Sequence, residues 1–423
     1  MVNQSYFLKN VERSFRLGNE SKAIGLTNET DFWNGQDIKV DNQQLINFGT
    51  CGYLGLETDR RLIEKSMDYA SRFGTQFSVS RAYLKSNLLD ELETRLSKIF
   101  NNKKVFVFSS TTLAHMSVLP VLISDKDLII LDKQVHFSVQ TGTGLLASKK
   151  VATRMVKHND MEKLEQYILH YKDRYDKIWY MVDGVYSMFG DVAPMRDINA
   201  LMQKYEQLHV YVDDAHGMAW CGSNGSGAIF DDIAVPERVV LSSTLAKGFG
   251  ATGGFVVFPT EEFYNKVWQF GGPLSYSHPL APAILGASVA AGDILLSPEI
   301  EVLQQDLKDK IDYCNDLLES TNLPILSNPN TPINFIGVGE LETGCQLNKK
   351  MIDDGFYVNL ALFPTVPTNN TGMRFTITRH VDKQQIYNFV EALGYHYEQT
   401  LREQNTCVEE VSKAFNLKVP EMA

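Results

Sequence analysis

From residue 104 onward, short runs of β-branched and aromatic residues recur at intervals: KVFVFSS (104–110), DLIILD (127–132), KIWYMVD (177–183), HVYVDD (209–214), RVVLSST (238–244) and TGGFVVFP (252–259). Most of the intervals hold amphipathic stretches of helix length, such as 160–175 and 195–208. Strands that alternate with helices predict βα units and a mostly parallel sheet covered on both faces. Beyond about 300 the pattern changes to longer charged helices such as 299–320, which predicts a smaller α+β domain. The expected organisation is a polar arm with a small edge element over 1–45, a large cofactor-binding domain over 46–300, a small C-terminal domain over 301–400 and a tail over 401–423. The most apolar stretch, 279–296, carries Pro279, Pro282 and Asp293. A membrane span needs roughly 20 apolar residues without charge, so this segment reads as a buried core helix and no transmembrane segment is expected.

Composition narrows the classes. The 423 residues are 44% hydrophobic and 22% charged, as in folded globular chains. With 51 acidic against 40 basic residues the formal charge is −11, and no basic block offers a footprint for nucleic acid. The five cysteines (Cys51, Cys221, Cys314, Cys345, Cys407) are scattered and form no C-x-x-C, against a disulfide framework or a zinc cluster. The segment MVNQSYFLKNVERSF lacks the apolar core of a signal peptide, so a cytoplasmic enzyme is expected.

In such sheets ligands bind at the carboxyl ends of the strands. Those ends here carry pointed chemistry: Ser109-Ser110-Thr111-Thr112 at a helix start, Asp132 followed by His136, Asp183 followed by Ser187, Asp213-Asp214-Ala215-His216, and Ser242-Ser243-Thr244 with Lys247 three residues on. Singly, each has a plain explanation as a cap, a turn or a solvated side chain. Jointly they supply an amine for a Schiff base, a helix N-terminus with hydroxyls for a phosphate, a carboxylate for a pyridine nitrogen and an imidazole for a ring face. Those are the requirements of pyridoxal 5'-phosphate. Gly248-Phe249-Gly250-Ala251-Thr252-Gly253 matches a dinucleotide fingerprint, but it leads into a strand instead of opening a helix.

With these residues in view, the chain resembles the α-oxoamine synthases, fold-type I pyridoxal-phosphate enzymes, from about residue 45 to 395. The matching motifs are Tyr53-Leu54-Gly55-Leu56, Ser80-Arg81, Asp132 to Ser138, Val185 to Pro194, Val212-Asp213-Asp214-Ala215-His216-Gly217, Thr244 to Lys247 followed by Gly253-Gly254, and Arg374 to Thr378. The resemblance implies a seven-stranded, mostly parallel sheet flanked by helices, as in aspartate aminotransferase. It assigns Lys247 to the Schiff base, His136 to ring stacking, Asp213 to the pyridine nitrogen, His216 to the ring hydroxyl and Thr244 to the phosphate. Ser110, Thr111, Thr112, Asp183, Ser187, Ser277 and His278 join them around the cofactor, and Cys51, Arg81 and Arg374 are expected at the substrate.

The implied reaction condenses an amino acid with an acyl thioester, on coenzyme A or a carrier protein, with loss of carbon dioxide and release of a 2-amino ketone. A homodimer with shared sites is implied as well. An aminotransferase or aldolase-type lyase on the same fold is one alternative, and a non-catalytic subunit is another. Several positions depart from the family: Cys51 stands where Asn is usual, Thr111-Thr112 replaces a Gly-aromatic pair, Leu89 replaces His, Phe189 replaces Asp, and His278 replaces a Thr that reaches the partner subunit's phosphate. The cofactor residues are kept while substrate-facing ones change, which predicts intact chemistry on an unusual substrate.

Overall fold

The computed structural model describes residues 4–229 and 236–417, and the chain divides into two units. One comprises Met1–Tyr53, Met188–Asp191 and Gln305–Ala423; the other comprises Leu54–Ser187 and Val192–Gln304. The N-terminal segment of the first unit holds α1 (Gln4–Glu20) and the antiparallel pair β1 (Asp37–Val40) and β2 (Gln43–Asn47). Asp41 and Asn42, both at positive φ, form the two-residue turn between these strands. Residues with short polar side chains tolerate that conformation, and its twist suits a hairpin. A 17-residue helix thus stands where the polar sequence suggested only an arm.

The larger unit opens with α2 (Arg60–Phe73) and α3 (Asn87–Ile99), then alternates β3 (Lys104–Phe108), α4 (Thr111–Leu122), β4 (Leu128–Asp132), α5 (Phe137–Gly144), β5 (Ala152–Val156), α6 (Met161–Tyr171), β6 (Ile178–Asp183), α7 (Met195–Lys204), β7 (Leu208–Asp213), β8 (Val239–Thr244) and β9 (Gly254–Phe258). These seven strands form one sheet in the order β3-β9-β8-β7-β6-β4-β5. β9 runs antiparallel to both neighbours and all the other pairings are parallel. Every residue of β4, β6, β7 and β8 is buried, which is why they read as near-continuous apolar runs. β5 was not among the strands read from the pattern. It is the edge strand, its three central residues are exposed, and Arg154 interrupts any apolar run.

The unit closes with α8 (Glu261–Phe270), α9 (Gly272–Tyr276) and α10 (Pro282–Leu295). α10 is the expected core helix: it packs on α2 and α3, and a Cβ at Gly286 would meet the Lys65 carbonyl oxygen at 2.4 Å. Among the described residues no single helix is long and apolar enough to cross a membrane. α10 and the next helix, α11 (Glu299–Glu319), reach that length only together and are bent by 86°.

The first unit resumes through most of α11, then β10 (Ile333–Gly339), α12 (Leu341–Asp353), β11 (Phe356–Tyr357), β12 (Asn359–Ala361), β13 (Thr371–Thr376), α13 (Lys383–Glu403) and α14 (Val408–Ala414). β11 adds to β2 in parallel, and β10-β13-β12 form an antiparallel sheet. A capping box, Asp382 with Gln385, starts α13. The segment read as a tail carries α14, whose Val411 is buried and whose end places Phe415 6.2 Å from the Phe335 ring. Residues 418–423 of that segment lie outside the described residues.

Candidate active site

A cavity of about 260 Å³ opens at the carboxyl ends of the parallel strands in the larger unit. Its wall includes Ser110, Thr111, Thr112, His136, Asp183, Asp213, His216, Thr244 and Lys247. Nine residues singled out from sequence are therefore brought together. Lys247 sits on the loop that joins β8 to β9. Three backbone hydrogen bonds pin this loop: Leu245 N–H to Gly253 O, Gly250 N–H to Lys247 O and Ala251 N–H to Leu245 O, all within 2.9 Å. Gly250 has φ of +79°, and a Cβ there would meet the Cβ of Leu56 at 2.6 Å. The glycine run thus lets the lysine loop press on the Tyr53-Leu54-Gly55-Leu56 segment.

On the opposite wall α4 begins. Ser110 caps it by accepting the Leu113 N–H at 3.2 Å, which directs the first-turn amides toward the cavity. A Cβ at Gly254 would lie 2.5 Å from the Thr111 nitrogen, so the start of β9 lies against this helix end. Free amides, the hydroxyls of Ser110, Thr111 and Thr112 and the positive end of the helix dipole make an anion seat. The Thr244 hydroxyl donates to the Gly253 carbonyl at 2.9 Å and accepts the Ala246 N–H at 3.1 Å, which holds both ends of the lysine loop.

Two carboxylates, Asp183 and Asp213, stand at the floor with a third, Asp214, behind them, and their surroundings set them apart. Asp183 and Asp213 are paired in register on adjacent parallel strands. Burial alone would raise both. Around Asp213 a hydrogen bond from His115, with His136 and Lys247 nearby, overcomes burial and holds the carboxyl below its usual range. Asp183 has burial and the neighbouring Asp213 charge against it; the His136 N–H that it accepts at 3.0 Å does not compensate, and its pKa rises well above the usual value. The two carboxyls of the pair are thus pushed in opposite directions.

Asp214 points away from Asp213 because successive strand residues face opposite sides. It accepts the Ala228 N–H at 2.8 Å, and burial pushes it up to about 8. Gly184, Gly217 and Gly227 crowd its carboxylate so closely that a Cβ on any of them would come within 2.3 Å. Asp214 is thus the hub that ties down the loops after β6 and β7.

His136 caps α5, with Nδ1 2.6 Å from the Ser138 hydroxyl. Its ring is exposed toward the cavity yet surrounded by protein on its other sides, and that desolvation lowers its pKa. His216 is buried, and its carbonyl accepts the Trp220 indole N–H at 2.5 Å. His115 was missed by the sequence reading. It lies on α4, fully buried, with Nε2 3.1 Å from Asp213 Oδ2 and Nδ1 2.8 Å from the Tyr211 hydroxyl. The available signal was a lone imidazole inside the otherwise apolar run LAHMSVLPVL.

Comparison with known proteins agrees with this geometry. The family model for class I and II aminotransferases matches residues 43–393. The 8-amino-7-oxononanoate synthase of Thermoanaerobacter pseudethanolicus is 30% identical over 351 residues, covering 82% of this chain and 86% of the relative. The enzyme of the same name from Alkaliphilus metalliredigens is 30% identical, covering 85% and 89%. The chain belongs to the α-oxoamine synthases, within the class I and II aminotransferases. Solved structures share the fold. Serine palmitoyltransferase from S. paucimobilis, solved with a pyridoxal-phosphate–myriocin adduct, superposes with a TM-score of 0.84 at 21% identity, covering 94% of this chain and 98% of that one. The 8-amino-7-oxononanoate synthase from Francisella tularensis gives 0.70 at 24% identity, covering 85% and 99%.

This α-oxoamine synthase is a pyridoxal-phosphate-dependent acyltransferase. The residues present fit the cofactor: a carboxylate held below its usual pKa range, a lysine on a pinned loop and a helix N-terminus share one small cavity.

Other expected site residues of the synthase lie elsewhere. Arg81 does not line the cavity. Its guanidinium is buried, 3.0 Å from Glu93 Oε1 and 3.2 Å from the Val107 carbonyl, and lies over the Phe106 ring. There it joins α3 to β3, and breaking such a buried pair costs about 3–5 kcal/mol. Ser187, half-buried after β6, is not on the wall, nor are Ser277 and His278. The Ser277 hydroxyl donates to the Pro273 carbonyl at 2.7 Å, and His278 is exposed. Cys51 and Arg374 are together in the smaller unit, with Arg374 Nη2 3.7 Å from Cys51 Sγ. Tyr53 is buried beside both. Phe189, where the family carries Asp, packs 4.6 Å from Phe335 and serves the small unit's core.

Proposed function

We propose that this synthase condenses an amino acid with an acyl thioester, with loss of carbon dioxide and release of a thiol and a 2-amino ketone. The observation that carries the reading is the meeting of Lys247, His136 and Asp213, whose pKa His115 pulls down, around one cavity. Pyridoxal phosphate, when bound, supplies the electron sink that makes a substrate Cα proton acidic. Lys247 would hold it through Nζ, and that amine, released by the incoming amino acid, takes the proton from Cα. Asp213 holds the proton on the pyridine nitrogen, because a carboxylate kept ionised stabilises the positive ring. The α4 amides with Thr111 and Thr112 bind the phosphate, and His216 takes the ring hydroxyl. His136, whose ring faces the cavity, would lie against the cofactor ring and hydrogen-bond the substrate carboxylate. Arg374, with Cys51 at its side, pairs with the amino-acid carboxylate, a task that suits a planar guanidinium. A second copy of the chain completes the enzyme. Tyr83 and Tyr276, each 90% exposed on the larger unit, fit such an interface.

The test is product stoichiometry in the cofactor-loaded protein. Panels of amino acids (glycine, alanine, serine, cysteate) and acyl-coenzyme A chains are combined pairwise. The proposal expects thiol and carbon dioxide in equal amounts, and only when both substrates are present. A keto acid formed from the amino acid alone would replace it with transamination.

A further inference from the structure

We propose that His115 is a positioning residue for the Asp213 carboxylate, bridging it to Tyr211 from helix α4. Tyr211 and Asp213 are two residues apart on β7, so their side chains share one face of the strand. His115 spans both, with Nδ1 2.8 Å from the Tyr211 hydroxyl and Nε2 3.1 Å from Asp213 Oδ2. The imidazole and the phenol are fully buried and the carboxylate nearly so. α5 packs closely on α4 at this point, since a Cβ at Gly142 would meet the His115 Cβ at 3.1 Å.

The hydrogen-bond roles follow from the partners. Burial pushes the Tyr211 pKa up, so the phenol keeps its proton and donates to Nδ1. Nε2–H then donates to Asp213, while the other carboxylate oxygen accepts the Ala215 N–H at 3.1 Å. Both oxygens are tied and the carboxylate plane is fixed. The charge of Asp213 raises the neighbouring Asp183 and Asp214, while His136 and Lys247 favour the charged form of Asp213. Among these groups His115 is the one that touches Asp213 directly, and it contacts neither the cavity nor substrate.

The inference rests on the reading of Asp213 as the partner of the pyridine nitrogen, and the experiment separates the two. His115→Leu, Tyr211→Phe, Asp213→Asn and the double variant His115→Leu/Asp213→Asn are prepared with and without pyridoxal phosphate. Without cofactor, urea midpoints are compared from pH 7 to pH 5. Once His115 is gone, burial dominates at Asp213 and the carboxyl takes up a proton as the pH falls. The gap between wild type and His115→Leu is therefore expected to shrink over that range, and to shrink less in the Asp213→Asn background, where the titration of the imidazole in the unfolded chain alone remains. With cofactor, His115→Leu is expected to weaken pyridoxal-phosphate binding by about tenfold or more, and Tyr211→Phe by a few-fold in the same direction. Neither is expected to weaken it further once Asp213 is Asn. A pH-independent gap, or equal losses with and without Asp213, would overturn the positioning role. Unchanged cofactor binding in Asp213→Asn alone would overturn the reading of Asp213, and the cofactor-free midpoints would still decide the coupling.

Discussion

The cavity of the larger unit and the Cys51–Arg374 corner of the smaller one hold their charges in different ways. At the cavity and behind it, the buried carboxylates have fixed neighbours: Asp213 has His115, Asp183 has the His136 amide, Asp214 has a ring of glycines and backbone amides. These contacts come from strand register and two helix ends. The corner depends on residues more than 320 positions apart, with the Arg374 guanidinium 3.7 Å from the Cys51 thiol and also bonded to the buried Tyr53 hydroxyl. The difference teaches that the cavity is set by sheet register and helix ends, whereas the corner is assembled from distant segments of the chain. Family motifs stand on both sides, Asp213 to Gly217 and Thr244 to Lys247 on the first and Arg374 to Thr378 on the second, with departures at Thr111-Thr112 and at Cys51.

The largest effect that would break this contrast comes from the lysine. Lys247→Ala is expected to reduce turnover by about 10³–10⁴-fold, since it removes both the covalent anchor and a positioned base, while the urea midpoint of the cofactor-free protein stays near wild type. Steady-state thiol release with saturating substrates checks it. A loss below tenfold would place the proton transfer elsewhere.

Next comes the corner. Arg374→Leu removes a charge-assisted hydrogen bond worth about 1.5–3 kcal/mol, which is about 10–100-fold in amino-acid affinity. The expected signature is a raised KM for the amino acid with little change for the acyl thioester. Equal increases for both would remove Arg374 from its assigned partner.

A smaller effect concerns Asp214. Its folded pKa, about 8, lies above its ordinary value, so the fold binds this proton more tightly than the unfolded chain does. The resulting stability is full below about pH 4 and is lost as the pH rises toward 8, at a limiting slope of about 1.4 kcal/mol per pH unit. Asp183, raised for the same reason, adds to the trend. Asp214→Asn is expected to flatten the decline in the urea midpoint between pH 5 and pH 8. A slope that persists unchanged would mean that Asp214 is ionised in the fold.

The smallest change is Cys51→Asn, which adds a side-chain amide donor beside Arg374. It is expected to shift the amino-acid KM by up to about tenfold without changing the cofactor spectrum. A change in the spectrum would join the two regions that this account separates.

Much of this was legible in the sequence because buried parallel strands announce themselves as apolar runs, and the residues that end them face the ligand. Lys247, Asp213, His216 and His136 all follow such runs. What escaped has physical causes. β5 is an exposed edge carrying Arg154, so it leaves no apolar trace. α1 is polar enough to pass for an arm, and α14 is short. His115 acts through a contact 98 residues away in sequence, which no local pattern encodes. Arg81 shows the opposite error: a motif match suggested a ligand contact, while the neighbouring Glu93 claims the guanidinium for packing.

The most direct measurement is borohydride reduction of the purified protein after incubation with pyridoxal phosphate, followed by peptide mass mapping. The account predicts one phosphopyridoxyl group per chain, on Lys247, and none on Lys247→Ala. Full labelling of another lysine, or no label on the wild type under saturating cofactor, would contradict it.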